Sequence, residues 1–320
     1  MKRSAKKSSA GTRARTIAVR VPASSANLGA GFDCFGLALG LYLDVRARVV
    51  AGPPESCRVN YSGQGAESIP RTADNLIYRS ALLLAEREGF RLPPLDLDVT
   101  NEIPLGGGLG SSAAAIVAGV LIGAAFAGRR VRPERLLSCA SEIEGHADNV
   151  AAALHGGWVV LAQASSGILV VRRPWPNRIR AVVVSPDAQV DTRASRKKLS
   201  PEVLREDAVF NLQRVALFCA AIDAGRPDLL REAMRDRLHQ PQRRNLVPGL
   251  AEALELFKRP GLLGVALSGA GPSVLAFADG HCQAIGEDIA AAFARHGMRS
   301  TVRVLTAGVP GARVGGKPAV

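Results

Sequence analysis

Between Pro104 and Ser112 the chain reads Pro-Leu-Gly-Gly-Gly-Leu-Gly-Ser-Ser, and fifteen small or apolar residues, Ala113 to Ala127, follow at once. Gly106, Gly107, Gly108 and Gly110 strip the side chains from a backbone that can then curl around a guest. Leu95 to Val99 reads as a strand leading in, and the apolar run reads as a helix leading out. Backbone N–H groups at a helix start, with serine hydroxyls beside them, make an anion site, and a polyphosphate fits it. A Walker A loop would need a Lys before Ser111, and none is present. The dinucleotide fingerprint needs a wider spacing than the G-x-G-x-G of Gly106, Gly108 and Gly110. Any triphosphate here must therefore have its charge offset by metal, by helix-start amides and by cations from elsewhere. On this segment alone a second reading stays open, a flexible turn feeding a buried helix with Ser111 or Ser112 as its N-cap.

At 320 residues the chain has room for two packed domains. The net charge of +13 includes seven cations, unopposed by acid, in residues 1–20, which leaves +6 for everything else. Residues 1–15 are expected to be a basic, disordered tail rather than part of a nucleic-acid interface. Aromatics at 4% are too few for a single-strand binder. Cys34, Cys57, Cys139, Cys219 and Cys282 are scattered and odd in number, which argues against a disulfide framework and for a reducing compartment, the cytoplasm. No apolar run reaches the ~18 residues of a membrane span, and no secretory signal follows the basic start.

Strands are expected at Thr16–Val21, Leu43–Val50, Leu95–Val99, Trp158–Leu161, Ala181–Val184, Gly264–Leu267, Val274–Ala278 and Thr301–Leu305. Helices are expected over Asn75–Glu88, Arg132–Glu144, Glu202–Ala224, Asp228–Leu238, Leu250–Lys258 and Ala284–Arg295. Strands mixed with helices indicate an α+β protein. The Ser-, Gly-, Arg- and Pro-containing stretch from Ser165 to Pro176 is the expected domain junction, giving units of 16–170 and 171–310 and a flexible tail at 311–320.

Three small-residue segments, Asn27 to Asp33, Pro104 to Ala114 and Ser268 to Ser273, together resemble the signature set of the GHMP kinases. Ser25-Ala26-Asn27-Leu28-Gly29-x-Gly31-Phe32-Asp33 and Glu144-Gly145-His146-x-Asp148-Asn149-Val150 are similar to the homoserine kinase branch. So are Asp191-Thr192-x-x-x-Arg196 and Leu238-His239-Gln240-Pro241-x-Arg243. The likeness runs from about Val19 to Leu305. Ala30, Ala147 and Gln242 depart from residues common in that branch, without removing a functional group.

The resemblance implies a ribosomal-S5-domain-2-like N-terminal domain and a ferredoxin-like C-terminal domain. It implies transfer of a phosphoryl group from ATP, with Mg2+, to the side-chain hydroxyl of L-homoserine, as a step toward threonine. A homodimer is implied as well. Pro104, Leu105, Gly106, Gly107, Gly108, Leu109, Gly110, Ser111, Ser112, Ala113 and Ala114 would hold the nucleotide. Ser112 and one acid, Glu144 or Glu142, would hold the metal. Glu142, His146 and Asn149 would share a face if one helix ran through Asn149, but Gly145 is placed to stop it, and Glu144 belongs to the better-matched motif. Asp33 would take the substrate ammonium with Asn27 nearby, Arg196 and Arg243 its carboxylate, and Thr192, His146 and Asn149 would complete the acceptor side. Asn149, Arg196 and His146 are the expected catalytic groups, and no dedicated general base is assigned, Asp148 being the candidate. Two alternatives remain at this level: a kinase for another small alcohol, and an RNA-binding module, against which the acidic and Asn-bearing motifs argue.

Overall fold

The computed structural model describes residues 16–188, 190, 192–256 and 258–320; the basic segment 1–15 and Asp191 of the fourth motif lie outside the described residues. In order, the elements are β1 (Thr16–Ala26), β2 (Phe35–Val49), β3 (Cys57–Gly63), α1 (Leu76–Glu88), β4 (Leu95–Asn101), α2 (Ser111–Phe126), α3 (Pro133–Glu144), α4 (Asp148–His155), β5 (Trp158–Ala164) and β6 (Gly167–Arg173). Then follow β7 (Arg180–Pro186), α5 (Thr192–Lys197), α6 (Arg205–Asp223), α7 (Leu230–Ala233), α8 (Gln240–Arg243), α9 (Leu250–Leu254), β8 (Leu262–Leu267), β9 (Val274–Ala278), α10 (Cys282–Ala294), β10 (Ser300–Leu305), β11 (Arg313–Val314) and β12 (Lys317–Pro318).

Two sheets result. The larger runs β12-β11-β1-β2-β4-β3, with β5 also on β2 and β6 on β5. The smaller is antiparallel in the order β10-β7-β9-β8, which is the 4-1-3-2 order of a ferredoxin-like βαββαβ unit. One apolar cluster lies between the large sheet and helices α1 to α4 and reaches Phe218 and Phe277; a second lies between the small sheet and α9 and α10. Among the described residues no helix is long and apolar enough to cross a membrane.

Several boundaries differ from those read in the sequence. β1 continues past Val21 through the small residues Pro22 to Ala26, buried throughout, because the ladder to β2 holds them extended despite their weak strand preference. The register shifts at Pro22/Ala23, where proline has no N–H for the ladder. The expected junction at 165–176 is mostly the hairpin of β5 and β6, and the chain reaches the second sheet only at Arg180. The 311–320 segment, expected as a flexible tail, instead supplies β11 and β12, with Val314 opposite Val19 and Ala312 buried. The expected helix 228–238 breaks into a 3-10 turn at Pro227–Leu229 and the single turn α7. Beyond it, the Asp236 carboxylate accepts the backbone amides of Leu238, His239 and Gln240, a side-chain competitor to helical bonding.

Helix α2, which follows the glycine loop, is apolar beyond Ser111 and Ser112 and lies close against α1. At Gly119 an added Cβ would sit 2.1 Å from the Ile77 carbonyl oxygen, so glycine is what lets the two backbones meet. Gly119→Ala gains about 1 kcal/mol of helix preference but must part the helices, for an expected net loss of about 2 kcal/mol. Urea denaturation measures it; unchanged or raised stability would refute the close-approach account.

Candidate active site

The glycine loop is held by its carbonyls. Gly106 O accepts from Val190 N (3.2 Å), Gly107 O from Ser273 N (3.3 Å), Gly108 O from Ser268 Oγ (2.7 Å) and Leu109 O from Ser24 N (3.1 Å). The amides of Gly106 to Gly110 donate to no protein group among the described residues, so the loop keeps its donors for an anion. Gly106, Gly108 and Gly110 have φ of 63°, 77° and 68°, the left-handed region open to glycine. Gly110 itself caps α2, without a side-chain cap bond. Neither serine is the N-cap: Ser111 Oγ points back to Ile103 O at 3.5 Å, and Ser112 Oγ donates to Glu144 Oε2 at 2.6 Å.

Gly145, at φ 89°, ends α3, and Asp148 opens α4 as a separate helix. The single helix that would have aligned Glu142 with His146 and Asn149 therefore does not form. Glu142 pairs with Arg87, its side chain 60% exposed, while Glu144 is 11% exposed and turned to Ser112. His146 Nδ1 lies 2.7 Å from Asp148 Oδ1, and its Nε2 is 3.8 Å from Glu144 Oε1. Burial opposes a charge on this imidazole, but the Asp148 hydrogen bond and the fields of Asp148 and Glu144 outweigh it, so its pKa is raised. A raised imidazole pKa adds stability fully present below the unfolded value of about 6.5, lost as pH climbs through the folded value. Asp148 Oδ1 also accepts the Asn149 amide, and Asn149 Oδ1 accepts from Ser24 Oγ at 2.9 Å.

On the facing side, the turn from Asn27 to Asp33 is tightly folded, with positive φ at Asn27, Leu28, Gly29 and Asp33. Asn27 is a tie within this turn: Nδ2 donates to Gly269 O (3.0 Å) and Oδ1 accepts from Asp33 N (3.1 Å). Asp33 and Arg196, expected on opposite ends of a substrate, pair with each other through two hydrogen bonds, one of them Nη1 to Oδ2 at 2.8 Å. Burial nevertheless leaves the Asp33 pKa above its ordinary value, against the opposing field of Arg196. Thr192 heads the short helix α5 that ends with Arg196 and Lys197.

Arg243 is 2% exposed, and no carboxylate comes within 4 Å of it among the described residues. Its Nη1 reaches His239 Nδ1 (3.2 Å) and Gly269 O (3.5 Å), and its Nε has no partner. Burial, and then the charge of Arg196, push its pKa down. Phe32 gathers the group, with guanidinium carbons of Arg196 and Arg243 5.3 and 5.6 Å from its ring centre and His239 stacked on it at 5.2 Å.

The two sides meet in one cleft of about 260 Å³, lined by Asn27, Asp33, Pro104, Gly106 to Ser112, Glu144, His146, Asp148, Asn149, Arg196 and Arg243. Ala113 and Ala114 lie just behind, buried in the first turn of α2. Sequence reasoning assigned no role to Ser24, Ser25, Ser268 or Ser273. Ser25 Oγ and Ser268 Oγ are 2.8 Å apart, and with the bonds to Gly107, Gly108 and Asn149 these serines bind three distant segments together. Their only signal was membership of small-residue motifs.

Residues 75–157 match the GHMP kinases N terminal domain and residues 218–295 the GHMP kinases C terminal. A homoserine kinase of Solibacter usitatus is 45% identical over 283 residues, 88% of this chain and 91% of that one. The homoserine kinase of Moorella thermoacetica is 42% identical, over 90% and 96%. The crystal structure of homoserine kinase from Cytophaga hutchinsonii superposes with a TM-score of 0.82 at 30% identity, covering 93% of this chain and 97% of that one. The mevalonate kinase of L. major shares the fold at 15% identity, with a TM-score of 0.67 and coverage of 93% and 96%. With two-domain architecture, glycine loop and relatives in agreement, the chain belongs to the homoserine kinase family of the GHMP kinases.

Proposed function

We propose that this protein moves the terminal phosphoryl group of ATP to the side-chain hydroxyl of L-homoserine, a reaction on the route to threonine. The observation that carries the acceptor's chemistry is Arg243, a buried cation with no carboxylate within 4 Å among the described residues, facing the same cleft as the glycine loop. Leaving such a charge unpaired is costly, and a substrate carboxylate relieves the cost. Arg196 and Asp33 can exchange their mutual bonds for the carboxylate and the ammonium of an amino acid, so the zwitterion satisfies both at once.

In the reaction the bond from the bridging oxygen to the γ-phosphorus breaks, the acceptor oxygen bonds to that phosphorus, and ADP leaves. The loop amides and the α2 N-terminus hold the phosphates, while Asn149 and His146 orient the acceptor hydroxyl. Thr192 is proposed on the same side from its motif. Asp148 is already engaged by His146 and the Asn149 amide, which supports a reaction without a dedicated base, the hydroxyl proton leaving with the transferred phosphate. Ser112 Oγ and the Glu144 carboxylate supply an oxygen pair suited to Mg2+, which commonly takes one or two protein oxygens and completes its shell with phosphates and water. Bound there, Mg2+ would neutralise charge on the β- and γ-phosphates. A homodimer is part of the proposal, supported by exposed Leu204, Val209 and Leu212 on and beside α6. The five unpaired cysteines fit a reducing compartment such as the cytoplasm.

An ADP-release assay over L-homoserine, mevalonate, shikimate and galactose tests the reading. Turnover on L-homoserine at least about 100-fold above the rest is expected, since mevalonate and shikimate lack the ammonium that Asp33 would take and galactose lacks both charged groups. Stronger turnover on any of the other three would overturn it.

A further inference from the structure

His239 is fully buried, carries no role so far, and touches both the loop of Asp33 and the guanidinium of Arg243. Its Nε2 lies 2.9 Å from the Gly29 carbonyl oxygen, and its Nδ1 3.2 Å from Arg243 Nη1. A carbonyl can only accept and a guanidinium can only donate, so the two contacts fix the ring's protonation. Nε2 carries the hydrogen, Nδ1 carries a lone pair, and the imidazole is neutral. Asp236 pins the backbone beneath it, taking three amides and the Asn211 side chain, and the ring itself stacks on Phe32 with 25° between planes. The imidazole is thus fixed from four directions, and its one free lone pair meets Arg243.

We propose that His239 is the positioning residue that aims Arg243 at the acceptor's carboxylate, by accepting an Nη1 hydrogen on Nδ1. The inference rests on Arg243 being the group that holds that carboxylate. His239 does not touch substrate in this arrangement; it acts through the arginine. The partly satisfied guanidinium keeps its remaining terminal donors for what enters the cleft, which Arg243 lines.

Protonation of His239 would put a hydrogen on Nδ1 and set two cations face to face. The groups that bear on it are Asp236 and Arg243 from its own segment and Asp33 from the β1–β2 turn. Burial lowers its pKa, opposed by Asp236, the Gly29 carbonyl and Asp33 and aided by Arg243. The imidazole therefore stays neutral to below the ordinary value of about 6.5, and acceptor binding should weaken only on the acid side of that value.

Two substitutions separate the ring's two nitrogens. In His239→Asn the side-chain oxygen falls where Nδ1 was and can still accept from Arg243. In His239→Gln the amide reaches the Nε2 position and the Arg243 acceptor is lost. His239→Gln should raise the KM for L-homoserine about tenfold or more, the worth of a hydrogen bond to a charged group, with the KM for ATP unchanged. His239→Asn should restore the acceptor KM to within about threefold of the parent, and should flatten the acid-side rise of that KM. Equal acceptor KM in all three proteins overturns the inference, as does a parallel loss of both substrates in both variants, which marks a merely structural side chain. Selectivity for L-homoserine over its carboxyl-reduced analogue, 2-aminobutane-1,4-diol, keeps the underlying assignment apart. If Arg243→Met leaves that selectivity intact, the carboxylate assignment fails; if it abolishes selectivity while His239→Gln binds like the parent, only the role of His239 fails.

Discussion

Arg243→Met should yield an enzyme that is more stable without substrate and almost unable to hold its acceptor. The guanidinium is 2% exposed, has no carboxylate within 4 Å among the described residues, and leaves Nε unbonded. Methionine keeps the length of the side chain and removes the buried charge, and exchanging poorly compensated ionic groups for apolar ones commonly gains about 1–3 kcal/mol. Urea denaturation of the substrate-free protein should show that gain. The same change deletes the cation, itself buried, that the acceptor's carboxylate would meet in the cleft. Breaking such a pair costs about 3–5 kcal/mol, or roughly 150- to 4000-fold in acceptor KM. The KM for ATP should stay where it was. A variant that is less stable, or that binds L-homoserine as before, would count against both halves of the argument. The two effects share one cause: a buried charge, with no carboxylate within 4 Å among the described residues, that the proposed acceptor would complete.

Gly108→Ala should nearly silence the enzyme for a steric reason. At φ 77° an alanine costs about 1–2 kcal/mol, and its Cβ would lie 2.2 Å from the Ser268 carbonyl oxygen and 3.0 Å from that of Gly271. Both neighbours are backbone, so the loop and the Ser268 turn must separate. The Ser268 Oγ to Gly108 O bond (2.7 Å) then opens, and with it the tie through Ser25. A displacement of about 1 Å in groups that position reactants costs about 100-fold, so kcat/KM should fall by at least that much. Steady-state kinetics with ATP varied will show it, alongside weakened binding of a fluorescent ATP analogue. Gly107→Ala should lose far less, because the Cβ there meets only ordinary contacts, the nearest being Ser273 Oγ at 3.5 Å. Comparable losses at both positions would mean that flexibility, rather than close approach, is what the glycines provide.

Local signals carried much of this molecule. Asn75 caps α1 through Ile77 N, Gly89 and Gly145 close α1 and α3 in the left-handed conformation, and Pro133 begins α3, all at positions that residue type alone suggests. What failed was long-range. Nothing in Pro22 to Ala26 announces a strand, since small residues become one only when β2 is alongside. Nothing in residues 311–320 announces that they will find β1. Asp236 ends a helix that apolar spacing favours, because its carboxylate outbids the next carbonyls for three amides. Within the site, each motif was visible by itself, and its partners were not. Ser25 meets Ser268 across 243 positions, a separation over which no periodicity operates. Arg196 and Asp33 could be matched to opposite charges on a substrate, but that they would first satisfy each other follows only from their being brought together.

The return of β11 to β1 has a consequence for how this protein is made. Because β11 lies beside β1, the whole second sheet, β7 to β10, is an excursion between two passes through the first. A ribosome releases Val19 well before its partner Val314, with the second sheet made in between. Until then part of one sheet edge stands uncovered, the kind of surface at which strands from other chains add. Sealing of that edge therefore waits until synthesis has passed β11, and a polypeptide cut short before it leaves the edge open.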